Sequence, residues 1–422
     1  MKEMSKISRL FVLTCSIGSL LVSVRCSPSK ENSPAKRAHE PYSNFSDTVT
    51  IEYAKNFTVT YHGHYKVVKT TVPGAAVGNQ EDSARWAGSF SDIIVLVQRG
   101  AEPPPLEREL QNAFVVTIPA LRVAGNSDDA PTRLTALGRR DSIVGLGHTD
   151  LYDEYLKARA DRGMIKAIGA SWHSEPNLEM LLQLKPDVTF LTIASLTQSE
   201  GLKKTRGMGI PSAPDFSWSE SNYLAQLEWI KYYGVFMNAE REATDFFNRV
   251  RDRCDSLKDL VARISDKPNV MWGMHGKGLW RVRVNDGFAK LMEDAGAINP
   301  FADHSGIVNQ TEQNGLSEGV SISDEIVFQK LPSVNYIISF QTSTDNWPPH
   351  SYMEVAPAYR NRQLYHHFKR FREYGAYDWY QTASTRPDIV LADLVHLFHP
   401  DIMPGYELVF FGKMEIAGKH KK

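Results

Sequence analysis

One long helical segment, flanked on both sides by alternating strand and helix patterns, most constrains the fold of this chain. Apolar residues recur at helical spacing over residues 239–264, which predicts a helix of about 39 Å at 1.5 Å per residue. Short strand patterns alternate with helix patterns over residues 111–238 and again over residues 267–400, as is typical of βα units with a mostly parallel sheet. We therefore predict an α/β fold of two Rossmann-like βα lobes, joined by a single long helix over residues 239–266.

The length and charge of the chain fit this organisation. Its 422 residues, 42% of them hydrophobic, are enough for two domains with cores of their own. The 48 basic and 49 acidic residues give a net charge of −1. The sequence has no long block of like charge of the kind that would indicate a nucleic-acid partner. Residues 401–422 are read as a C-terminal tail that ends in solvated lysines.

The first 26 residues are typical of an export signal. Basic residues precede an apolar run over residues 10–24 that is too short for a comfortable membrane span. Cys26 follows at once and predicts a lipid anchor on its thiol, although Arg25 matches poorly the small residues that a lipoprotein peptidase prefers. Cleavage without lipidation and an uncleaved anchor are the alternatives. We expect the protein at the cell envelope, on its periplasmic or extracellular face.

Two segments separate this signal from the first lobe. Residues 27–46 are rich in Ser, Pro, Lys, Glu and Asn, a composition typical of a flexible tether. Residues 47–110 contain short β-branched and aromatic runs separated by turns. They predict a β-rich N-terminal extension in front of the first lobe.

Five short blocks, taken in order, resemble those of a known family. They are residues 138–145, 176–187, 207–211, 320–332 and 386–400. The set is similar to the periplasmic substrate-binding proteins of the helix-linked, two-lobe class (class III), which serve ABC importers of iron siderophores, haem and cobalamin. The resemblance implies an exported monomer that captures such a chelate between its lobes and delivers it to an ABC permease dimer, without catalysis.

Three regions depart from the pattern of that family. Residues 47–110 have no counterpart, residues 119–129 lack the usual loop motif, and residues 342–383 are unusually long and aromatic. Each region lies where ligand contacts can differ, so the resemblance does not identify the chelate.

Candidate ligand contacts are the residues that follow predicted strands, because ligands of open α/β sheets bind beyond the carboxyl ends of the strands. Aromatic faces suit a macrocycle or catecholate ring, and Arg and His suit the negative charge of a ferric chelate. For each aromatic candidate the alternative is core packing, and for each His an ordinary loop position. The candidates are His148, Tyr152, Trp172, His173, His275, Trp280, Arg281, Trp347 and Trp379, with Arg283, Tyr377 and Tyr380 beside them.

Other patterns bear on metals and on partners. Residues 365–372 have the spacing of a solvated helix, which predicts that His366 and His367 lie at the surface. The chain has no HExxH motif, and we expect neither a structural metal site nor a resident cofactor. Glu179 and Glu325 each open a predicted helix, where the helix dipole favours a carboxylate. The resemblance implies that one such residue per lobe docks on arginines of the permease, and helix-terminal charge alone is the alternative.

Two other function classes stay open at this point. A binding protein for a free metal ion needs three or four His, Asp or Glu residues that converge on one ion. A two-lobe α/β enzyme needs a phosphate loop, a nucleophile motif or paired carboxylates at a strand end, and the sequence contains none of these motifs.

Overall fold

The computed structural model describes residues 45–73, 89–170, 175–194, 196–276, 278–303 and 319–416. The predicted signal, most of the tether, Cys26, Trp172 and His173 lie outside the described residues. Within the described ranges, no helix has the length and apolar character needed to cross a membrane.

A four-stranded sheet precedes the first βα unit. Strands β1 (Phe57–His62), β2 (Tyr65–Pro73) and β3 (Ser89–Gln98) pair antiparallel in sequence order, and β4 (Phe114–Ile118) joins β3 in parallel. Gly63, with a φ of 54°, allows the tight turn between β1 and β2. Strand β4 thus completes the sheet of the extension, although the sequence placed it at the start of the first lobe.

The first lobe contains a five-stranded parallel sheet in the order β7-β6-β5-β8-β9. Short, fully buried strands such as β6 and β8 are typical of sheets with both faces covered. The strand order reverses between β5 and β8, which makes the carboxyl ends of these strands the place where a ligand is expected. The elements are β5 (Val123–Gly125), α1 (Asp129–Ala136), β6 (Ile143–Leu146), α2 (Glu154–Asp161), β7 (Lys166–Ala167), α3 (Leu178–Leu184), β8 (Val188–Thr192), α4 (Leu196–Gly207) and β9 (Ser212–Asp215).

Two helices follow the last strand of the first lobe. Helix α5 (Tyr223–Met237) is buried along nearly all of its length and ends at Asn238, which adopts the left-handed conformation common at helix ends. Helix α6 (Glu240–Val261) is amphipathic, with Phe247, Val250 and Cys254 on its buried side. At 1.5 Å per residue it is about 33 Å long. This is the single long helix that the sequence predicts.

The second lobe contains a six-stranded sheet in the order β12-β11-β10-β13-β14-β15. Strands β10, β13 and β14 are parallel, while β11, β12 and β15 run antiparallel to their neighbours. Together with the first lobe and helix α6, this sheet confirms the predicted α/β class. The elements are β10 (Val270–Gly276), β11 (Leu279–Val282), α7 (Gly287–Asp294), β12 (Val320–Ser323), α8 (Asp324–Lys330), β13 (Tyr336–Ser339), α9 (His350–Met353), α10 (Pro357–Arg360), β14 (Leu364–His366), α11 (Asp378–Thr382), α12 (Pro387–Phe398) and β15 (Gly412–Lys413).

Buried carboxylates of the first lobe hold the N-terminal extension in place. Glu228, which is fully buried on α5, accepts backbone N–H bonds from residues 52–54 and pairs with Lys231 at 2.7 Å. Glu220 accepts the N–H groups of residues 55 and 56. Because a buried charge is stable only when it is paired and hydrogen-bonded, these contacts fix the extension against α5.

Candidate functional site

A cavity of about 550 Å³ lies between the two lobes. The first lobe contributes one face of α1, the loop before α2 and the start of α2, and the second lobe contributes residues 370–372 and the segment from α11 to the start of α12. Its charged and aromatic lining includes Arg140, Tyr152, Tyr155, Arg370, Arg372 and Arg386. Both lobes are therefore needed to form this cavity.

Tyr152, one of the predicted contacts, lies in the cavity wall. Arginines of the second lobe cover its ring, with the guanidinium carbon of Arg372 at 4.6 Å and that of Arg370 at 5.5 Å from the ring centre. The Arg370 Nε also donates to the Tyr152 hydroxyl at 3.3 Å. The side chain that the sequence placed near a ligand thus joins the two lobes at the cavity.

The charges around the cavity are mixed. Arg370 pairs with Asp378, Arg372 with Glu154 and Arg386 with Asp388, each at 2.8 Å. Arg140 differs, because its guanidinium lies 3.9 Å from the Tyr155 ring centre and no described carboxylate is within ion-pairing distance of it. Its positive charge is therefore available to a solute in the cavity.

The carboxyl end of the first sheet carries a second group of polar side chains. His148 follows β6, and its Nε2 lies 3.3 Å from Asp128 Oδ1 at the start of α1. The hydrogen bond to Asp128 raises the pKa of His148, although partial burial opposes the shift. Nearby, the Asn126 side chain accepts the Thr192 N–H and so connects the ends of β5 and β8. His148 is half-exposed at the edge where ligands of such sheets bind.

The candidates around β10 and β11 lie in a packed environment. His275 has both ring nitrogens engaged, at 2.7 Å from the Asn346 carbonyl and 3.1 Å from Asp324. Trp280 and Trp347 are buried and pack edge to face at 5.1 Å. Arg281 lies half-buried within β11, opposite Met274 and Ser321. The structure does not bring these four residues to the cavity.

Trp379 belongs to an aromatic cluster at the carboxyl end of the second sheet. Its ring stacks on Phe288 at 5.9 Å and lies 4.2 Å from the His367 ring. Arg283, also buried, places its guanidinium over the Phe288 and Phe340 rings at 4.4 and 4.7 Å and pairs with Asp286. The neighbouring Tyr380 is 49% exposed and is the part of this region open to a solute.

The prediction that His366 and His367 lie on a solvated helix is wrong. Strand β14 pairs in parallel with β13, which places this segment inside the sheet, and His367 is only 1% exposed. Neither ring nitrogen of His367 has a hydrogen-bond partner among the described residues. Burial lowers the pKa of His367 well below its ordinary value, and the charge of Arg283 acts in the same direction.

Sequence reasoning missed several residues of the cavity. Arg370, Arg372 and Gln381 line it but follow no predicted strand. The available signal was the aromatic composition of residues 342–383, a stretch where we expected ligand contacts to differ, but we interpreted residues 365–372 within it as a solvated helix.

The remaining predicted residues do not lie at the cavity. Glu179 and Glu325 are exposed in the first turns of α3 and α8. Hydrogen bonds from its own backbone N–H and from Ser323 lower the pKa of Glu325. Among the described residues, no three or more His, Cys, Asp or Glu side chains are grouped so that they could hold a metal ion.

Comparison with known proteins identifies relatives over most of the chain. The sequence profile of a family described as periplasmic binding protein matches residues 131–366. An uncharacterized lipoprotein of Methanocaldococcus jannaschii is 23% identical over 433 residues, which cover 99% of this chain and 97% of the relative. A second uncharacterized lipoprotein of that organism is 22% identical and covers 76% of this chain and 79% of its own length.

One solved structure supports the fold. The crystal structure of Helicobacter pylori CeuE with Ni(II) bound superposes with a TM-score of 0.51 and 13% identity, covering 69% of this chain and 88% of that chain. At this identity the likeness concerns the fold alone.

Proposed function

Because this chain belongs to the periplasmic binding protein family, we propose that it is the exported solute-binding component of an ABC importer. In this proposal it captures an iron chelate, haem or a cobalamin between its lobes and has no catalytic role. The supporting observation is the cavity of about 550 Å³ to which both lobes contribute. Sites for small molecules typically have volumes of about 300–1,000 Å³.

The chemistry of the cavity favours an anionic solute with flat groups. Guanidinium groups bind carboxylates and other oxyanions with paired hydrogen bonds, and Arg140 carries a charge that no described carboxylate neutralises. The rings of Tyr152 and Tyr155 lie in the same wall, and the guanidinium groups that stack over them add flat surfaces suited to a planar group of the solute. A siderophore with carboxylate or catecholate groups, and the propionates and ring of haem, meet both requirements.

A fluorescence screen tests this proposal. The purified protein is titrated with haem, a cobalamin and several ferric siderophores while its intrinsic tryptophan fluorescence is recorded. We expect saturable quenching by one of these chelates. Tight binding of a bare divalent ion without quenching by any chelate would instead support a metal-ion binding protein, and turnover of a substrate would support an enzyme.

Docking on the permease is the second part of the proposal. Glu179 and Glu325 are exposed, one on each lobe, and two carboxylates at a fixed separation suit two equivalent sites of a permease dimer. We expect the double variant Glu179→Lys/Glu325→Lys to bind solute normally and to lose uptake in cells. Glu107→Lys, at an exposed position of the N-terminal extension, is the control. Normal uptake by the double variant would argue against docking through these residues.

The third part of the proposal concerns location. The apolar run before Cys26 and the two relatives named as lipoproteins support an envelope protein with a lipid anchor on the Cys26 thiol. Growth with an alkyne-tagged fatty acid should label the wild-type protein and leave Cys26→Ser unlabelled. Equal labelling of both proteins, or of neither, would count against this anchor.

A further inference from the structure

A segment of the second lobe reaches across the cavity and holds the first lobe. It runs over residues 370–382, from the end of the β14 region through α11. On the first lobe it contacts residues 151–154, the loop that leads into α2, and one side chain of α1. The segment begins four residues after residue 366, where the match to the family profile ends.

Gln381 makes the central contacts between the lobes. Its side-chain oxygen accepts the backbone N–H of Tyr152 at 2.7 Å and that of Asp153 at 3.3 Å. Its backbone carbonyl accepts the Thr132 hydroxyl at 2.8 Å. One residue of α11 thus binds both the loop before α2 and helix α1.

Other side chains of the segment repeat this bridging pattern. The Tyr374 hydroxyl donates to the Leu151 carbonyl at 2.8 Å, and Arg372 donates to Glu154 at 2.8 Å. The ring of Tyr374 also lies under the Lys157 ammonium, at 5.3 Å. Because these contacts include backbone groups of the loop as well as side chains, they fix the position of the loop backbone.

The bridging residues are also walls of the cavity. Tyr152, Asp153, Arg372 and Gln381 line it from opposite sides, so a change in the angle between the lobes changes its volume and breaks these hydrogen bonds together. We infer that residues 370–382 form a latch, which holds the lobes closed over the cavity and must release residues 151–154 before a solute enters or leaves. This inference rests on the proposed function, because it concerns access to the proposed solute site.

The latch is tested without any solute. The result therefore does not depend on whether the protein binds the solute proposed above. Gln381→Leu removes the acceptor for the Tyr152 and Asp153 N–H groups at nearly constant volume, and Gln381→Glu keeps an acceptor in the same place. Hydrogen exchange of the full mature protein is followed in peptides that contain residues 149–156. In Gln381→Leu the Tyr152 and Asp153 amides each lose one hydrogen bond, which should raise their exchange rates about tenfold, and Gln381→Glu should exchange like the wild type.

A distance measurement provides the second readout. Spin labels on Lys166→Cys and Asn361→Cys, both exposed and one on each lobe, report the separation of the lobes in a background without Cys26 and Cys254. We expect a broader distance distribution in Gln381→Leu than in Gln381→Glu. Unchanged exchange and unchanged distances in Gln381→Leu would overturn the latch.

A second variant covers the case in which Gln381→Leu does not fold. Tyr374→Phe removes only the hydroxyl that donates to Leu151 and leaves the aromatic ring in place. It should broaden the distance distribution, and a distribution identical to that of the wild type would contradict the latch.

Discussion

At the residue scale, His367 has the most unusual environment. It is buried between the rings of Phe340, Phe368 and Trp379, with centroid distances of 4.2–4.4 Å, and the positive charge of Arg283 is close enough to oppose its protonation. An imidazole in such surroundings is neutral at pH 7, because burial without a counter-ion disfavours the charged form.

This environment predicts how stability depends on pH. The folded-state pKa of His367 is depressed, so below its unfolded value of about 6.5 the unfolded chain binds a proton that the folded protein does not. Above about pH 6.5 the contribution of His367 to the free energy of unfolding is fully present. Below that pH this free energy decreases by up to about 1.4 kcal/mol per pH unit. Denaturant unfolding at pH 5–7 should show a smaller pH dependence for His367→Phe than for the wild type. His62→Phe, at an exposed position, is the control, and equal slopes for His367→Phe and wild type would contradict the argument.

At the scale of single elements, α5 acts as a support for the N-terminal extension. The buried side chains of Glu228 and Lys231 form an ion pair with each other. Both also hydrogen-bond to the extension, where the Lys231 ammonium donates to the Thr50 carbonyl. Breaking one partner of such a pair leaves the other charge buried and uncompensated.

A substitution on α5 tests this support. Glu228→Gln removes the carboxylate while keeping the size of the side chain, and it should lower the free energy of unfolding by about 3–5 kcal/mol. The matched change Glu242→Gln breaks an exposed pair with Arg139 and should cost less than about 1 kcal/mol. Chemical unfolding of both variants measures the difference, and similar small losses would show that the buried pair contributes little.

The elements also show what sequence patterns can and cannot predict. Helix α6 and the βα alternation were predictable, because helical and strand periodicity are local properties of the sequence. Strand β14 was misread as a solvated helix because its burial depends on parallel pairing with β13 residues that lie 27 positions earlier, which no local pattern reveals. Strand β4 was assigned to the first lobe for the same reason, since its partner β3 belongs to the extension.

At the scale of the whole molecule, the two lobes meet through residues that are far apart in sequence. Tyr152 and Arg370 are 218 positions apart. The sequence therefore predicted Tyr152 as a ligand contact but could not predict that it contacts Arg370 of the second lobe. In the first lobe, strand ends led to Tyr152, which lines the cavity, and to His148, which contacts Asp128. In the second lobe they led to residues such as Trp280 that pack in a core.

Two adjacent arginines allow a matched test of solute binding. Arg140 lines the cavity, whereas Arg139 pairs with Glu242 outside it. If an anionic solute binds Arg140 through a charge-assisted hydrogen bond, Arg140→Gln should weaken binding by about 10- to 100-fold. Arg139→Gln should leave the Kd unchanged in the same fluorescence titration, and equal effects of the two substitutions would argue against binding in this cavity.

Capture of a solute between the lobes is tested most directly by hydrogen exchange with and without the chelate that quenches tryptophan fluorescence. We predict simultaneous protection of peptides from both cavity walls, residues 128–156 of the first lobe and residues 370–386 of the second. Protection confined to one lobe, or protection elsewhere with both walls unchanged, would contradict capture in this cavity.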